Sequence, residues 1–172
     1  MDALWVVVVL RLLHVVGGVF WAGAMLVVAW FLVPTVRATG PEGGRVMQEL
    51  MIGQKLSKWL GIAAAVTVLS GALLYYRAMS TTAGTFGASR PGMAFGAGAL
   101  AAIIAAIIGG SVSVPTSKKL DAVSKRMQAA GRPDPALAAE LQALQAKMAG
   151  AARIIAALVL VAAAFMAIAR YL

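Results

Sequence analysis

The chain contains no cysteine, a single histidine and few charged residues. The absence of cysteine excludes disulfides, thiolate metal sites, iron–sulfur ligation and cysteine nucleophiles. Charged residues make up 12% of the 172 residues, whereas a soluble domain has about 25%. Hydrophobic residues make up 62%, and the mean hydropathy is +0.89. This composition predicts an integral membrane protein.

Acidic residues are scarce, and all of them lie outside the long apolar runs. They are Asp2, Glu42, Glu49, Asp121, Asp134 and Glu140. Paired carboxylates for acid–base catalysis and intramembrane carboxylate relays are therefore missing. The sequence also lacks a phosphate-binding glycine loop with lysine and a nucleophile elbow. We expect a protein that is not an enzyme.

Four apolar stretches are long enough to cross a membrane, because about 20 apolar residues span the hydrocarbon core. They cover roughly 4–33, 56–76, 93–114 and 150–170. Backbone groups in lipid must be hydrogen-bonded within their own element, so all four should be helices. The predicted fold is all-α: one polytopic domain, 1–172, with four transmembrane helices in an up-down bundle.

The connections between the spans carry helical patterns of their own. Asp134 followed by Pro135 is typical of a helix start. The apolar residues behind it recur at helical spacing, at Leu137, Leu141, Leu144 and Met148. We expect cytoplasmic helical extensions, including an antiparallel hairpin over 116–149. Glycines within 40–44 predict a break between the first span and a helix that leads into the second.

Lysine and arginine predict the orientation. Eleven of the 15 basic residues lie in or next to the two long connections. Cytoplasmic loops are enriched in these residues, so we expect loops 35–55 and 115–150 in the cytoplasm and both termini outside. The predicted location is the bacterial inner membrane. The +9 net charge is explained by this loop bias, and no nucleic-acid partner is expected.

A short repeat suggests an internal duplication. Val33-Pro34-Thr35 and Val114-Pro115-Thr116 each end an apolar run and lead into a basic segment. The pattern predicts two helical hairpins in the same orientation. It places Phe95 at the position that corresponds to His14.

The third span contains a row of small residues with a spacing of four. The row is Gly98, Ala102, Ala106 and Gly110. Such rows allow helix backbones to approach closely in lipid. The row serves either packing within the bundle or an interface with a second copy or another subunit.

The first span contains the only histidine, roughly 13–14 Å deep when counted from Trp5. Arg11, His14, Gly18 and Trp21 share one helical face, and Gly17 and Gly18 lack side chains beside the imidazole. An imidazole can be an axial metal ligand. A gap at the glycines could admit a flat macrocycle, and Arg11 could pair with a propionate.

A structural role for the same residues is the alternative. His14 could instead hydrogen-bond to Thr67 or Ser70 of the second span. Arg11 would then extend toward the outer surface, as long basic side chains do. The residues alone leave both interpretations open.

The first span also carries a family resemblance. Arg11-Leu12-Leu13-His14, followed by Trp21, Gly23 and Pro34, resembles the first helix of copper-resistance-D-like bacterial membrane proteins. It is also similar to the small bacterial membrane protoporphyrinogen oxidase. The resemblance implies a helical bundle that handles haem or copper, with His14 as ligand. The oxidase-like pattern has a histidine and a lysine opening a later helix, where this chain has Pro91-Gly92-Met93-Ala94-Phe95.

Two functional hypotheses follow. The first is a non-catalytic accessory subunit of a larger respiratory or photosynthetic membrane complex, with the lipid bilayer and other subunits or a second copy as partners. The second is a module that binds haem b or another tetrapyrrole through His14. Copper handling is less supported, because Cu(I) prefers thioether and thiolate ligands and no methionine pair accompanies His14.

Overall fold

The computed structural model describes residues 2–131 and 134–172. Its α-helices are α1 (Asp2–Val27), α2 (Val33–Gln48), α3 (Leu56–Thr81), α4 (Arg90–Ile108), α5 (Val114–Ala130) and α6 (Pro135–Ile168). No strand occurs in these two described segments. Four continuous helical stretches are long and apolar enough to cross a membrane, namely Leu4–Gly40, Leu56–Thr81, Arg90–Ala130 and Pro135–Tyr171. The predicted all-α membrane fold is confirmed.

Prolines 34 and 115 lie inside continuous helices, although the sequence suggested that they end the first and third spans. A π-helical turn precedes each of them, at Val28–Leu32 and Gly109–Ser113. Proline has no amide hydrogen and therefore removes a helical hydrogen bond. The wider turn accommodates this loss, and the helix continues beyond the proline.

The two halves of the chain pack in the same way. α1 lies mainly against α3, and α4 lies mainly against α6. Gly17 faces Ala63, Val66 and Thr67, whereas Gly98 faces Ala162, Phe165 and Met166. The members of the two sets correspond one to one. One sequence offset relates Gly17 to Gly98, and a second relates the three α3 residues to the three α6 residues. The π-helical turns that precede Pro34 and Pro115 are related by the first offset. This correspondence supports the internal duplication.

The four-helix core lies toward the end that carries the long connections, which we call the inner end. Its members are Trp21, Met25, Val28, Ala29, Ala63, Ala105, Ala152, Ile155, Ala156 and Val159. In contrast, no residue between 4 and 20 of α1 is buried. At the outer end, the rings of Tyr75, Phe86 and Phe95 connect α3 to α4, with centroid distances of 5.6 and 6.3 Å. Because α1 packs mainly on α3 and none of its residues 4–20 is buried, the outer half of α1 is open on the side away from α3.

The inner extensions form as helices. Asp134 Oδ1 accepts hydrogen bonds from the amides of Ala136 and Leu137, at 2.9 and 3.3 Å, and so caps α6. Val123 and Leu137 are buried between α5 and α6, which form the hairpin expected over 116–149. The break expected at 40–44 is confined to Gly40, whose φ of 62° lies outside the helical region.

Candidate functional site

His14 lies where the four-helix core ends. On the face that it shares with Trp21 and Met25, those two residues are 5% and 7% exposed. Gly18 and His14 are half-buried, and Arg11, a further turn outward, is exposed. The shared face predicted from the sequence therefore changes from packed core to open surface at the histidine.

The imidazole of His14 is anchored to α3. Its Nδ1 donates a hydrogen bond to the backbone carbonyl of Thr67, at 2.8 Å. A carbonyl oxygen can only accept, so Nδ1 carries the hydrogen. The hydrogen bond that the structural alternative expected, to Thr67 or Ser70, is present, and it involves the Thr67 backbone rather than either hydroxyl.

The second ring nitrogen, Nε2, is not engaged by the part of the protein that the structure describes. Among the described residues, no hydrogen bond to Nε2 of His14 is present. The atom is also not fully enclosed, since the one fully buried side-chain polar atom without a partner in those residues is Thr67 Oγ1. Nε2 therefore presents a lone pair at an accessible position within the span.

Gly71 lies directly against the imidazole. A methyl group built on Gly71 would be 2.6 Å from Cε1 and 2.8 Å from Nδ1 of His14. Ser70 is buried beside it, and its hydroxyl donates to the carbonyls of Val66 and Thr67 in its own helix. The residue pattern of the second span does not by itself single out Gly71. The informative signal is its position four residues after Thr67, where a helical side chain would cover the Thr67 carbonyl.

The glycines of α1 have a different role from the one expected. A methyl group on Gly17 would lie 2.8 Å from Thr67 Oγ1, and one on Gly18 would lie 3.5 Å from Thr67 Cγ2. The space expected beside Gly17 is therefore filled by α3, and no macrocycle fits between the two helices there. A ligand of His14 would lie on the opposite side of the ring, beyond Nε2.

Among the side chains that the structure describes, no carboxylate pairs with Arg11. The ion pairs within the described part of the chain are Lys125–Asp121 and Arg126–Glu140, both in the α5–α6 hairpin. Arg11 is exposed one turn outward from His14. Because a guanidinium stays charged, it is available to an anionic group of a ligand or lipid.

The histidine does not belong to a multi-residue cluster of metal ligands in the part of the chain that the structure describes. No group of three or more His, Asp or Glu side chains suited to a metal ion occurs in residues 2–131 and 134–172. Trp21, the remaining predicted site residue, belongs to the core one turn inward of Gly18. An imidazole nitrogen and a nearby guanidinium are thus the groups that this face offers to a ligand.

The small-residue row on α4 mainly packs inside the chain. A methyl group on Gly98 would lie 3.1 Å from the Ala162 carbonyl oxygen and 3.3 Å from Met166 Cγ. Ala102 and Ala106 lie against the core. At Gly110 a methyl group would meet nothing within 4 Å. Of the two uses expected for this row, the geometry at three of its four residues shows packing within the bundle.

Comparisons with protein-family models, with curated proteins and with solved structures found no match to this chain. The family resemblance noted for the first span is therefore still an expectation. What the described residues supply is one anchored imidazole at the edge of the core, with no hydrogen-bond partner at Nε2 among those residues.

Proposed function

We propose that this protein is a small, non-catalytic membrane subunit that holds a tetrapyrrole, with haem b as the leading candidate, on Nε2 of His14. The main observation in support of this proposal is the anchored imidazole. Its Nδ1 donates a hydrogen bond to the Thr67 carbonyl at 2.8 Å, and its Nε2 has no partner among the described residues. Haem held in this way supplies reversible one-electron transfer.

The hydrogen bond to Thr67 supports a ligand role. Histidines that bind metals almost always donate their other ring N–H to a carbonyl, carboxylate or water. This bond fixes the orientation of the ring and increases the basicity of the coordinating nitrogen. His14 has this arrangement at Nδ1, so the hydrogen bond is compatible with a ligand role for Nε2.

Arg11 and the open outer half of α1 fit the same ligand. Tetrapyrroles such as haem carry propionates, and arginine forms strong charge-assisted hydrogen bonds with carboxylates. Arg11 lies one turn from His14 on the same face and is exposed. The residues that lie inward on this face, Trp21 and Met25, are buried, so the groups that this face offers to a ligand lie outward of them.

The open side of the site supports a role as a subunit. Nε2 of His14 is not fully enclosed by the described residues, and no residue between 4 and 20 of α1 is buried. His14 and Arg11 would hold a tetrapyrrole from this chain. The open surface beside them is left for lipid or for a neighbouring membrane protein, as a subunit role allows.

Haem titration of the detergent-purified protein tests the ligand. We expect wild type to develop a Soret band, and His14→Ala and His14→Gln to lose it. His14→Gln is informative because its amide can still donate to the Thr67 carbonyl while it ligates iron poorly. Val16→Ala, at an exposed position of the same helix, is the control and should bind as wild type does. Equal haem binding by wild type and both His14 variants would overturn the proposal.

A second experiment tests the assembly. We expect the epitope-tagged protein, extracted in mild detergent from its native membrane, to migrate in a complex that is larger than the monomer and contains other membrane proteins. Migration as a monomer after mild extraction and after cross-linking in the membrane would contradict the subunit role and leave the haem titration unaffected.

A further inference from the structure

The α3 residues that contact or surround the His14 ring have no counterparts of the same type in the second half of the chain. The offset from Gly17 to Gly98 gives the second-half equivalent of each α1 residue, and the offset from Thr67 to Met166 gives that of each α3 residue. The equivalents of His14, Thr67, Ser70 and Gly71 are Phe95, Met166, Ala169 and Arg170. The second pair of helices packs through Gly98 without a histidine or a following glycine. Helix packing alone therefore does not require the His14 arrangement.

The Thr67 carbonyl can be reached because Gly71 has no side chain. In an α-helix this carbonyl points toward residue 71, four positions later. Any Cβ at that position would lie within 2.6 Å of the imidazole Cε1. The ring therefore contacts the α3 backbone itself, and Gly71 is the residue that permits this contact.

We propose that Gly71 and the Thr67 carbonyl are positioning groups that hold His14 in a single tautomer, with hydrogen on Nδ1 and the lone pair on Nε2. An Nδ1 without hydrogen would place a lone pair 2.8 Å from the carbonyl oxygen, a repulsive contact that lipid cannot relieve. The backbone of α3 thus determines which ring nitrogen is available to a ligand.

This arrangement defines the chemical class of ligand. Nε2 with a lone pair binds a Lewis-acidic metal centre or a hydrogen-bond donor, and it cannot donate to a carbonyl acceptor such as a quinone oxygen. The identification of the metal centre as that of a tetrapyrrole rests on the proposed function. The tautomer is a property of the protein alone and can be measured without any ligand.

The single histidine makes the measurement direct. Isotopically labelled histidine gives one set of ring-nitrogen NMR signals, since the sequence contains His14 alone. The protein would be studied in detergent at mildly alkaline pH. We expect the proton on Nδ1 and an unprotonated Nε2. A proton on Nε2, or exchange between the two tautomers, overturns the inference.

Two matched glycine substitutions test the role of Gly71. Gly71→Ala places a methyl group against the ring, whereas Gly61→Ala, also in α3, meets nothing within 4 Å. We expect Gly71→Ala to lose the Nδ1–H signature and Gly61→Ala to keep it. Unchanged NMR signals in a folded Gly71→Ala protein contradict the role of Gly71. Failure of Gly71→Ala to fold leaves the wild-type measurement as the decisive test.

Haem titration of the same variants separates this inference from the proposed function. Loss of a hydrogen-bond partner behind a metal-binding histidine typically weakens metal binding about 10-fold or more. We expect a loss of that size for Gly71→Ala and none for Gly61→Ala. A fixed tautomer without haem binding by wild type contradicts the proposed function and supports the positioning role. Equal haem binding by wild type and Gly71→Ala, through His14 in both, contradicts the positioning role alone.

Discussion

The imidazole of His14 and the backbone of Gly71 are in direct contact across the α1–α3 interface. A single added methyl group at residue 71 would come within 2.6 Å of the ring. The contact places Nδ1 at the Thr67 carbonyl and leaves Nε2 free. The proposed ligand site thus depends on a glycine in a different helix from the histidine.

Arg11 is predicted to recognise the carboxylates of the ligand. Arg11→Gln should weaken haem binding about 10-fold, because a charge-assisted hydrogen bond contributes about 1.5 kcal/mol or more. Arg11→Lys should recover part of the loss. The measurement is a haem titration of each variant. Haem dimethyl ester, which lacks the negative charges, should bind wild type and Arg11→Gln equally, and an effect of Arg11 on the ester would refute charge recognition.

Gly98 is predicted to be essential for packing of α4 on α6. Gly98→Ala should lower the free energy of unfolding by about 1–3 kcal/mol, the usual cost of overpacking, because the methyl group meets the Ala162 backbone at 3.1 Å. Thermal unfolding in detergent measures the change. Gly110→Ala, at an open position of the same row, should have no destabilising effect. Similar losses for both variants would indicate an intermolecular role for the row.

Asp134 is predicted to stabilise the start of α6. Its carboxylate accepts two backbone hydrogen bonds, so Asp134→Ala should destabilise the α5–α6 hairpin by about 1 kcal/mol. Hydrogen exchange of the amides that follow Asp134 reports this change. Asp121→Ala removes a surface ion pair with Lys125 and should cost less than about 0.5 kcal/mol. Equal effects would show that the cap contributes nothing specific.

The orientation remains a prediction, and the absence of cysteine makes it easy to test. Single cysteines at Lys118, in α5, and at Ser80, near the outer end of α3, lie on exposed positions. A membrane-impermeant thiol reagent added to intact cells should label Ser80→Cys and spare Lys118→Cys. Lysis should expose both. The opposite pattern would place the long connections outside and invert the topology.

Several features of the fold could be predicted from the sequence because their causes are local. Hydropathy and length identify the four spanning helices, and Asp134-Pro135 identifies the start of α6. Leu137 follows at the expected buried position. The prediction that a helix closes at Pro34 was wrong, because a π-helical turn satisfies the backbone around a proline and the sequence gives no clear sign of that turn.

The environment of His14 could not be predicted in the same way, because it depends on the depth and rotation of α1 relative to α3. Gly17 could equally have left a gap or received a neighbouring side chain, and in the structure Thr67 fills that space. The pairing of His14 with Gly71 joins residues far apart in the chain. Periodicity specifies which side chains share a helical face. Only the packing of the complete bundle determines which neighbouring helix this face contacts and at which axial position along that helix.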